Sequence, residues 1–367
     1  MLNLDESLVR DEKLIHELKF RDKIKSAEYH YSVDFAFDGF FEDELIKALF
    51  EKIKLLSKEI EFNSFKLGCS WPEVGETEKV RLKTYLQGTL VKMIETDLGK
   101  KVELNNNDLD FLIDFNKKLV FVRIRSVYVI GNYCKNSREI AQTEFFCNKC
   151  RGRGCWYCNS TGHFSSESVE QLIAKVMIPA FDGKLLILHG AGREDMDVLM
   201  LGKGRPFIAE ILLPMKRTVD LKEIEEKINS EFKGKISVNS LKMCLVNDVS
   251  QLKNAFHDKV YAALVTSDAV FDFSKLETNK TIIVKQNTPT RVEKRRALME
   301  RNKEVTILRV GKITEKEFVL VLRTSHGTYV KEFISGDEGK TDPSISKIVG
   351  AYCMCKLLDV LEICEEK

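Results

Sequence analysis

The chain has 367 residues, of which 44% are hydrophobic and 31% charged, with 6 prolines and 20 glycines. This composition is typical of a folded protein and excludes the disordered and fibrous classes. The length is sufficient for two domains with separate cores. The formal net charge of +2 leaves nucleic-acid partners open, because a nearly neutral chain can concentrate its positive charge in patches.

The N-terminal sequence MLNLDESLVRDEK is acidic and lacks the apolar segment of a secretory signal. No apolar run approaches the length that spans a bilayer. We therefore expect an intracellular, cytoplasmic protein with no membrane partner. The 10 cysteines fit a reducing compartment, in which four clustered cysteines indicate a metal site and six scattered ones are small buried residues.

Apolar periodicity predicts helices from about residue 4 to residue 56, a strand near Phe65 and a helix over 76–97. Two short apolar runs, 109–115 and 119–130, are predicted as strands. The cysteine cluster follows, and a helix from Ser168 then leads into a strand at 185–190. Strands and helices alternate over the remaining periodic segments, which are 207–213, 224–232, 238–249, 260–267, 305–310 and 317–324.

The composition changes at the cysteine cluster, and we place a domain boundary directly after it. This divides the chain into residues 1–165 and residues 166–367. Many strands of the second part are too close in sequence for crossover helices, so we expect an α+β domain with a mixed, mostly antiparallel sheet.

The segment CNKCRGRGCWYC contains two Cys-x-x-Cys pairs separated by four residues, at Cys147, Cys150, Cys155 and Cys158. Each pair places two thiolates on one side of a tight turn, and two such turns supply the four ligands of a tetrahedral zinc. We expect this zinc to be structural, because four cysteines leave no open coordination position. Four unligated thiols and a redox pair are the alternatives, and the spacing favours the metal over both.

The segment KLLILHGAGRED ends a predicted strand and allows two interpretations. Gly190 and Gly192 could begin a dinucleotide or S-adenosylmethionine site, but Asp195 stands where the third glycine of that fingerprint belongs. Alternatively, the acidic residues beside Arg193 form a solvated loop. A carboxylate at a strand end, held by a cation, is also well placed to act as a nucleophile.

Two later segments carry further candidates for an active site. Tyr261 lies in HDKVYAALVTSD, where Lys259 and Tyr261 alternate with apolar residues along a predicted strand. A tyrosine packed in the core is the simpler explanation. Lys331 lies in LRTSHGTYVKEF, after a predicted turn, and a solvent-facing lysine is the simpler explanation there.

Taken together, several long segments resemble the archaeal and eukaryotic tRNA pseudouridine synthases of the "Pus ten" family. They are GREDMDVLMLGKGRPFIAEI, KVYAALVTS, TPTRVEKRR and GTYVKEFISGDEGKTDPSI. The segments CNKCRGRGCWYCNSTG and YVIGNYCKNSREIAQT also match the accessory domain of the archaeal members. The resemblance covers roughly residues 60 to 360 in order. Family members often have cysteine pairs near the N-terminus, and this sequence has no cysteine before Cys69.

The resemblance implies an N-terminal α/β domain that binds RNA, residues 1–165, with zinc knuckles and a THUMP module, which is a tRNA-binding fold. It implies a pseudouridine synthase domain over residues 166–367. The implied partner is tRNA, modified at position 54, position 55 or both, in the T-arm. We expect no organic cofactor, because this isomerisation needs neither a redox change nor an external group, and no obligate protein partner is evident.

Carried over by position, the resemblance implies three catalytic residues. Asp195 matches the catalytic aspartate, Tyr261 matches the active-site tyrosine, and Lys331 matches the basic partner of the aspartate. Phe333 stands where these enzymes usually have Leu or Ile against the base. The other candidates for contact with the substrate, some of them as phosphate ligands, are Arg193, Tyr329, Arg205, Arg295 and Arg296.

Two other functions compete with the isomerase. A catalytically silent, zinc-containing THUMP protein would bind tRNA without producing an isomer. A methyltransferase that uses S-adenosylmethionine would bind that cofactor near Gly190.

Overall fold

The computed structural model describes residues 31–34, 43–71, 75–144, 147, 149–150, 152–162, 167–293 and 297–364. Its α-helices are α1 (Asp43–Ser57), α2 (Glu76–Leu98), α3 (Val169–Phe181), α4 (Leu221–Glu231), α5 (Val246–Asn254), α6 (Val330–Ser335) and α7 (Ile345–Val349). None of the helices in these ranges is long and apolar enough to span a lipid bilayer.

The strands, in chain order, are β1 (Tyr31–Asp34), β2 (Ser64–Ser70), β3 (Lys101–Val102), β4 (Leu109–Asp114), β5 (Leu119–Ile124), β6 (Val127–Lys135), β7 (Leu185–Gly190), β8 (Leu199–Leu212), β9 (Ile236–Cys244), β10 (Lys259–Ser267), β11 (Thr281–Asn287), β12 (Glu300–Lys312), β13 (Glu317–Thr324), β14 (Thr341–Asp342) and β15 (Cys353–Ile363). They form two sheets.

The first sheet has five strands in the order β1-β5-β4-β2-β3. Strand β2 pairs in parallel with β3 and β4, whereas the remaining pairs are antiparallel. Helix α1 buries Ile46, Leu49 and Ile53, which recur at helical spacing and therefore share one face. This face packs with the buried residues of α2 and the sheet in one apolar core. The N-terminal part of the described chain is thus an α/β unit.

The predicted helical region from residue 4 to residue 56 is confirmed only in part. Helix α1 lies within it, but residues 31–34 form a strand that pairs with β5. Tyr-Ser-Val-Asp has a β-branched residue at its centre and suits an edge strand better than a helix. Residues 1–30 and 35–42 of the predicted region lie outside the described residues.

The larger sheet has ten strands. Nine follow the order β14-β11-β12-β13-β10-β15-β8-β6-β9, and β7 pairs with β8 off this path. Every pairing is antiparallel except that of β15 with β8. The mixed, mostly antiparallel character expected from the close spacing of the strands is therefore present.

Strand β8 is central to this sheet. Its C-terminal part lies between β6 and β7, and its first two residues pair with β15. The loop that joins β7 to β8 therefore lies where the neighbour of β8 changes from one strand to another.

The run 119–130, predicted as one strand, is two strands in different sheets. Strand β5 ends at Ile124, and β6 begins at Val127 in the larger sheet. Arg125 marks the break, because its guanidinium pairs with Asp110 of the first sheet at 2.7 Å and its carbonyl accepts a hydrogen bond from Arg217 at 2.6 Å. The larger sheet thus includes residues on the N-terminal side of residue 165, where the sequence places the domain boundary.

The two sheets are joined by contacts after β8. The main-chain N–H groups of Arg217 and Thr218 donate to the carboxylate of Glu61 at 2.6 and 3.0 Å. The guanidinium of Arg217 pairs with Asp108 at 3.2 Å. Charge-assisted hydrogen bonds of this kind are stronger than neutral ones. They fix the segment that leaves β8 against the first sheet.

Helix α3 packs against the larger sheet and begins at a side-chain cap. Ser168 accepts a hydrogen bond from the N–H of Gln171, which satisfies one of the donors that a helix start leaves open. Leu172, Ile173 and Val176 recur at helical spacing and are buried in the core of the sheet.

Candidate active site

The loop between β7 and β8, residues 191–198, is held by hydrogen bonds to its main-chain oxygens. Four long side chains donate to it: Arg205 to Ala191 at 2.6 Å, Gln142 to Gly192 at 3.0 Å, Lys135 to Met196 at 2.7 Å and Arg138 to Asp197 at 2.7 Å. Three of these donors are cationic groups, so the bonds are strong ones. The loop is therefore fixed along its length before any ligand binds.

Gly192 provides the turn that this loop needs. Its φ is +86°, in the left-handed region that favours glycine, and a Cβ atom there would lie 3.0 Å from Nη1 of Arg205. A side chain at this position would therefore strain the backbone and press against the guanidinium below it.

A buried ion pair lies beneath the loop. Nε of Arg205 donates to Glu194 at 2.8 Å, and both side chains are 1% exposed. The hydroxyl of Tyr133 also donates to Glu194 at 2.8 Å, and the amide of Gln142 donates to the Tyr133 oxygen at 2.7 Å. Buried charges are tolerated when they are paired and hydrogen-bonded, as here. The chain directs Glu194 inward, while the next residue, Asp195, faces solvent.

Asp195 and Asp197 lie at the surface of the loop beside two cations. Nζ of Lys331 lies 3.4 Å from Asp195 Oδ2 and 2.9 Å from Asp197 Oδ2. Nη1 of Arg291 lies 3.5 Å from Asp195 Oδ2, and its Nε donates to Glu332 at 2.7 Å. Asp195 remains 47% exposed. The arrangement is a reachable carboxylate with two cations beside it.

The pairing between Lys331 and Asp197 shifts the pKa of both groups. Partial burial lowers the pKa of Lys331, but the hydrogen bond with Asp197 and the charges of both aspartates raise it above its ordinary value overall. Burial raises the pKa of Asp197, but the hydrogen bond with Lys331, a main-chain hydrogen bond and the charges of Lys331 and Lys135 together lower it below its usual range. Lys331 is thus cationic and Asp197 anionic at neutral pH.

Tyr261 lies on β10, opposite Leu322 of β13 and Val360 of β15. Its half-buried ring packs against the core of the larger sheet. Burial raises the pKa of Tyr261 to about 12, and the charges of Arg205 and Glu194 act on the hydroxyl with opposite signs. The hydroxyl is therefore protonated at neutral pH and lies within electrostatic reach of the buried ion pair.

The four cysteine sulfurs of residues 147–158 lie within 4.8 Å of one another. Three sulfur–sulfur distances, from Cys147 to Cys155 and from Cys158 to Cys150 and Cys155, are 3.8 Å. Four sulfurs at about 2.3 Å from one ion form a tetrahedron with edges of about 3.8 Å. The group is therefore positioned to bind a metal ion.

The backbone around Cys158 favours a thiolate. The N–H groups of Cys155 and Gly162 donate to its sulfur at 3.3 and 3.2 Å. Burial raises the pKa of the Cys158 thiol, but these two bonds and its neighbouring thiols lower it to about 6 overall. Burial raises the pKa of Cys150 to about 11, so ligation by all four sulfurs needs a cation to displace protons.

Comparison with known proteins identifies the family. The sequence profile of the family described as "Pus10, C-terminal" matches residues 128–364. The protein "tRNA pseudouridine synthase Pus10" of Methanosphaera stadtmanae is 33% identical over 356 residues, which cover 88% of this chain and 86% of that protein. The proteins of the same name from Methanocaldococcus jannaschii and Korarchaeum cryptofilum are 38% and 35% identical; the matches cover 89% and 90% of this chain and 74% and 92% of those proteins.

The chain belongs to the Pus10 family. It is accordingly an enzyme of the pseudouridine synthase class, which is an isomerase class. The part that matches the Pus10 profile runs from β6 to β15. It contains the loop with Asp195, both of its cationic neighbours and the cysteine cluster.

The structure brings several of the expected site residues together. Asp195 and Lys331 are in contact, and Arg193 is exposed in the same loop. Tyr329 precedes α6, and its main-chain N–H and carbonyl both bond to the side chain of Gln286. Tyr329 and Lys331 therefore lie at one end of the same short helix.

Of the four other residues expected to contact the substrate, two are buried and two lie outside the described residues. Arg205, expected as a phosphate ligand, is buried, where it pairs with Glu194 and donates a hydrogen bond to the carbonyl of Ala191 in the loop. Phe333 is 0% exposed in the core, so a base could touch it only after the surrounding residues move. Arg295 and Arg296 lie outside the described residues.

Proposed function

We propose that this chain converts uridine to pseudouridine in the T-arm of tRNA, at position 54, position 55 or both, with Asp195 as the nucleophile. The main support is the contact of Lys331 with Asp195, because it unites two motifs 136 residues apart in the family-matched region. The tRNA substrate is that named for the curated Pus10 relatives.

The reaction needs a carboxylate and no redox partner. The C1′–N1 bond of the uridine breaks, the uracil rotates, and a C1′–C5 bond forms. C5 then loses its proton, and N1 ends with one. Atoms and electrons balance within the nucleotide. A carboxylate at the site can attack either ribose C1′ or the uracil ring, and both routes use Asp195 as the nucleophile.

The neighbouring residues take supporting roles in this proposal. Lys331 and Arg291 orient the carboxylate of Asp195 toward the substrate. Tyr261 stacks on the uracil and assists removal of the C5 proton late in the reaction. Arg193 and Tyr329 border the pocket, and Phe333 contacts the base after local movement.

The substrate base is not reachable inside a folded T-arm, so the enzyme extrudes it into the pocket. Phosphates flanking the extruded nucleotide need cationic partners. Arg295 and Arg296 belong to the basic segment RVEKRR, and Arg291, which begins that segment, already lies beside Asp195. We assign the phosphate contacts to this segment.

We further propose that the α/β unit before β6 contains a THUMP module and acts as an accessory tRNA-binding domain. The catalytic domain in this proposal is built on the larger sheet, which includes β6 and therefore begins before the boundary at residue 165 that the sequence predicts. We propose zinc as the metal of the cysteine site. Four thiolates suit zinc, and a closed shell makes the ion structural. Zinc there would join the two turns of the cysteine segment, and it takes no part in the reaction.

The chain provides a matched pair of variants for the test, because Asp195 and Asp197 both contact Lys331. Asp195→Asn and Asp197→Asn remove one charge each with little change in shape. We expect Asp195→Asn to yield no pseudouridine in a tRNA transcript while tRNA affinity stays within about threefold. We expect Asp197→Asn to retain measurable turnover.

Pseudouridine is mapped by carbodiimide modification and primer extension on transcripts with and without the T-arm uridines. Full activity of Asp195→Asn ends the assignment of the nucleophile. If the unsubstituted protein produces pseudouridine at no position of the T-arm, the proposed substrate is wrong.

A further inference from the structure

An exposed pair of aromatic rings lies on the cysteine segment. Trp156 is 80% exposed and Tyr157 is 47% exposed, and their ring centroids are 5.7 Å apart in an edge-to-face arrangement. Tryptophan is highly buried on average. The tryptophan therefore contributes little to the core, and exposed aromatic groups of this kind mark interaction sites.

The rings are held by the cysteine backbone. Trp156, Tyr157 and Cys158 form one 3₁₀ turn, which starts at Cys155. The sulfur of Cys158 accepts the N–H of Cys155 at 3.3 Å, and metal ligation would fix the same two residues. The rings consequently sit on an ordered turn, so binding to them costs little conformational entropy.

The surroundings of these rings are cationic. Nζ of Lys149 lies 4.4 Å from the ring centroid of Trp156 and 4.0 Å from that of Tyr157. Residues 147–162 contain Lys149, Arg151 and Arg153 and no Asp or Glu. A divalent ion with four thiolates carries a charge of −2, and the three cations leave the segment at +1. Aromatic rings with cationic neighbours suit a polyanion with exposed bases.

The segment is anchored next to the loop of Asp195. Gln142, before the segment, donates to the carbonyl of Gly192 in that loop at 3.0 Å. Val169, after the segment, donates its N–H to the carbonyl of Ala141 at 2.9 Å. The residues that flank 147–162 on both sides are thus hydrogen-bonded within the part of the fold that holds Asp195.

We propose that Trp156, Tyr157 and Lys149 form a stacking surface for an unpaired base of the RNA substrate, outside the pocket that holds the target uridine. The inference rests on the proposed function for the identity of the RNA. Zinc-bound turns with aromatic side chains recognise splayed-out bases in this way, and a stacked base is tolerant of sequence.

The chain has 2 tryptophans, so one substitution makes the surface directly observable. Trp71 stacks on Phe115 with the ring centroids 4.8 Å apart, and Trp71→Phe keeps an aromatic ring there. In that variant all tryptophan fluorescence comes from Trp156. We expect a tRNA transcript to quench this fluorescence in a saturable way, because stacking on a base quenches an indole. A signal that stays constant while the RNA binds overturns the proposal.

Affinity gives the second measurement. We expect Trp156→Ala to raise the Kd for a tRNA transcript between about 5-fold and 100-fold, in line with the loss of one stacked base. Lys149→Gln should reduce the slope of log Kd against log salt concentration by about 1. The matched control is Tyr352→Ala, which removes a ring that is 56% exposed outside the cysteine segment, and its Kd should stay within about twofold.

Two readouts separate this surface from the catalytic pocket and from metal binding. Trp156→Ala should raise KM and leave kcat within about threefold, and its bound metal per chain should equal that of the unsubstituted protein. An unchanged Kd for Trp156→Ala, with the metal retained, overturns the proposal even when pseudouridine is formed. Fluorescence quenching and affinity loss can be measured without turnover, so failure of the proposed reaction is a separate result.

Discussion

Glu194 and Arg205 form an ion pair with both side chains 1% exposed, and Asp195 directly follows Glu194. The two consecutive carboxylates thus face opposite sides of one loop: the first is buried beneath it, and the second faces the cations of Lys331 and Arg291. Because the buried carboxylate also accepts from Tyr133 at 2.8 Å, it is fixed from two directions. We infer that Glu194 is a positioning residue for Asp195.

Glu194→Gln should destabilise the protein strongly. It leaves the guanidinium of Arg205 buried without a counter-charge, and breaking a buried pair in this way costs about 3–5 kcal/mol. The free energy of unfolding, from denaturant titration, is the measurement. Glu315→Gln is the control, because it breaks a pair with Lys312 in which both side chains are about half exposed; such pairs contribute about 0–1 kcal/mol. Equal losses in the two variants contradict the structural role.

The same variant also tests positioning. Under conditions where Glu194→Gln remains folded, kcat should fall while the Kd for tRNA changes little, because the displaced Asp195 is needed in the reaction and not in binding. Glu194→Asp keeps the charge and should recover part of kcat. A variant that folds and turns over at the normal rate would show that Asp195 needs no support from below.

Lys331→Met should lower kcat by roughly 10²-fold to 10³-fold, the usual effect of removing one group that stabilises charge at an active site. Lys331 is the cation that Asp195 and Asp197 share, and without it two neighbouring carboxylates repel each other. Single-turnover measurements isolate the chemical step from product release. Lys347→Met is the control, since it removes a lysine that is 68% exposed and pairs with Asp342. A rate within threefold of normal for Lys331→Met would remove it from the mechanism.

Lys259 makes stability depend on pH in a defined direction. It is 8% exposed, and burial lowers its pKa to about 8, with a further contribution from the charge of Arg205. In the unfolded chain a lysine titrates near about 10.4. Between these values the unfolded state binds the extra proton, so raising the pH from about 8 to about 10.4 stabilises the folded state.

The test compares the unsubstituted protein with Lys259→Met. The difference in their unfolding free energies should shift in favour of the unsubstituted protein by roughly 3 kcal/mol over that window, at 1.36 kcal/mol per pKa unit. Lys66→Met, which replaces an exposed lysine on β2, should show no such shift. A constant difference from pH 7 to pH 10 for Lys259→Met would mean that this lysine is not buried as described.

Periodicity is strong where strands have one buried face, and there the sequence predicts the structure well. The predicted strands 260–267 and 317–324 are confirmed as Lys259–Ser267 and Glu317–Thr324, and the helix 76–97 as Glu76–Leu98. The alternation of buried and half-buried residues in Val127–Lys135 predicts a strand. It does not predict which sheet the strand joins, because its partners β8 and β9 come more than 60 residues later. Pairing over such a separation is not encoded locally.

The sequence likewise predicts part of the candidate site and not the rest. The motifs indicate Asp195 and Lys331, and the structure places them in contact. The sequence does not show which carboxylate of the loop is buried, because residues 191–198 have no regular period. In the sequence Glu194 is therefore only one of several acidic residues. The sequence also does not show that Arg205 is buried: an arginine in a glycine-rich segment resembles a phosphate ligand until its burial is known.

The cysteine site allows the last prediction, which concerns the loop of Asp195 as well as the metal. Cys150→Ser removes one of four sulfurs, so bound zinc measured by mass spectrometry should fall from about one per chain to a small fraction, because metal affinity depends on the complete ligand set. The released turns should become sensitive to trypsin at Lys149 and Arg153. Cys364→Ser, outside the cluster, is the control and should keep both the metal and the resistance to trypsin.

Because Gln142 connects the segment to Gly192, kcat of Cys150→Ser should also fall, by a smaller factor than in Asp195→Asn. Full zinc content in Cys150→Ser would show that the metal is held elsewhere.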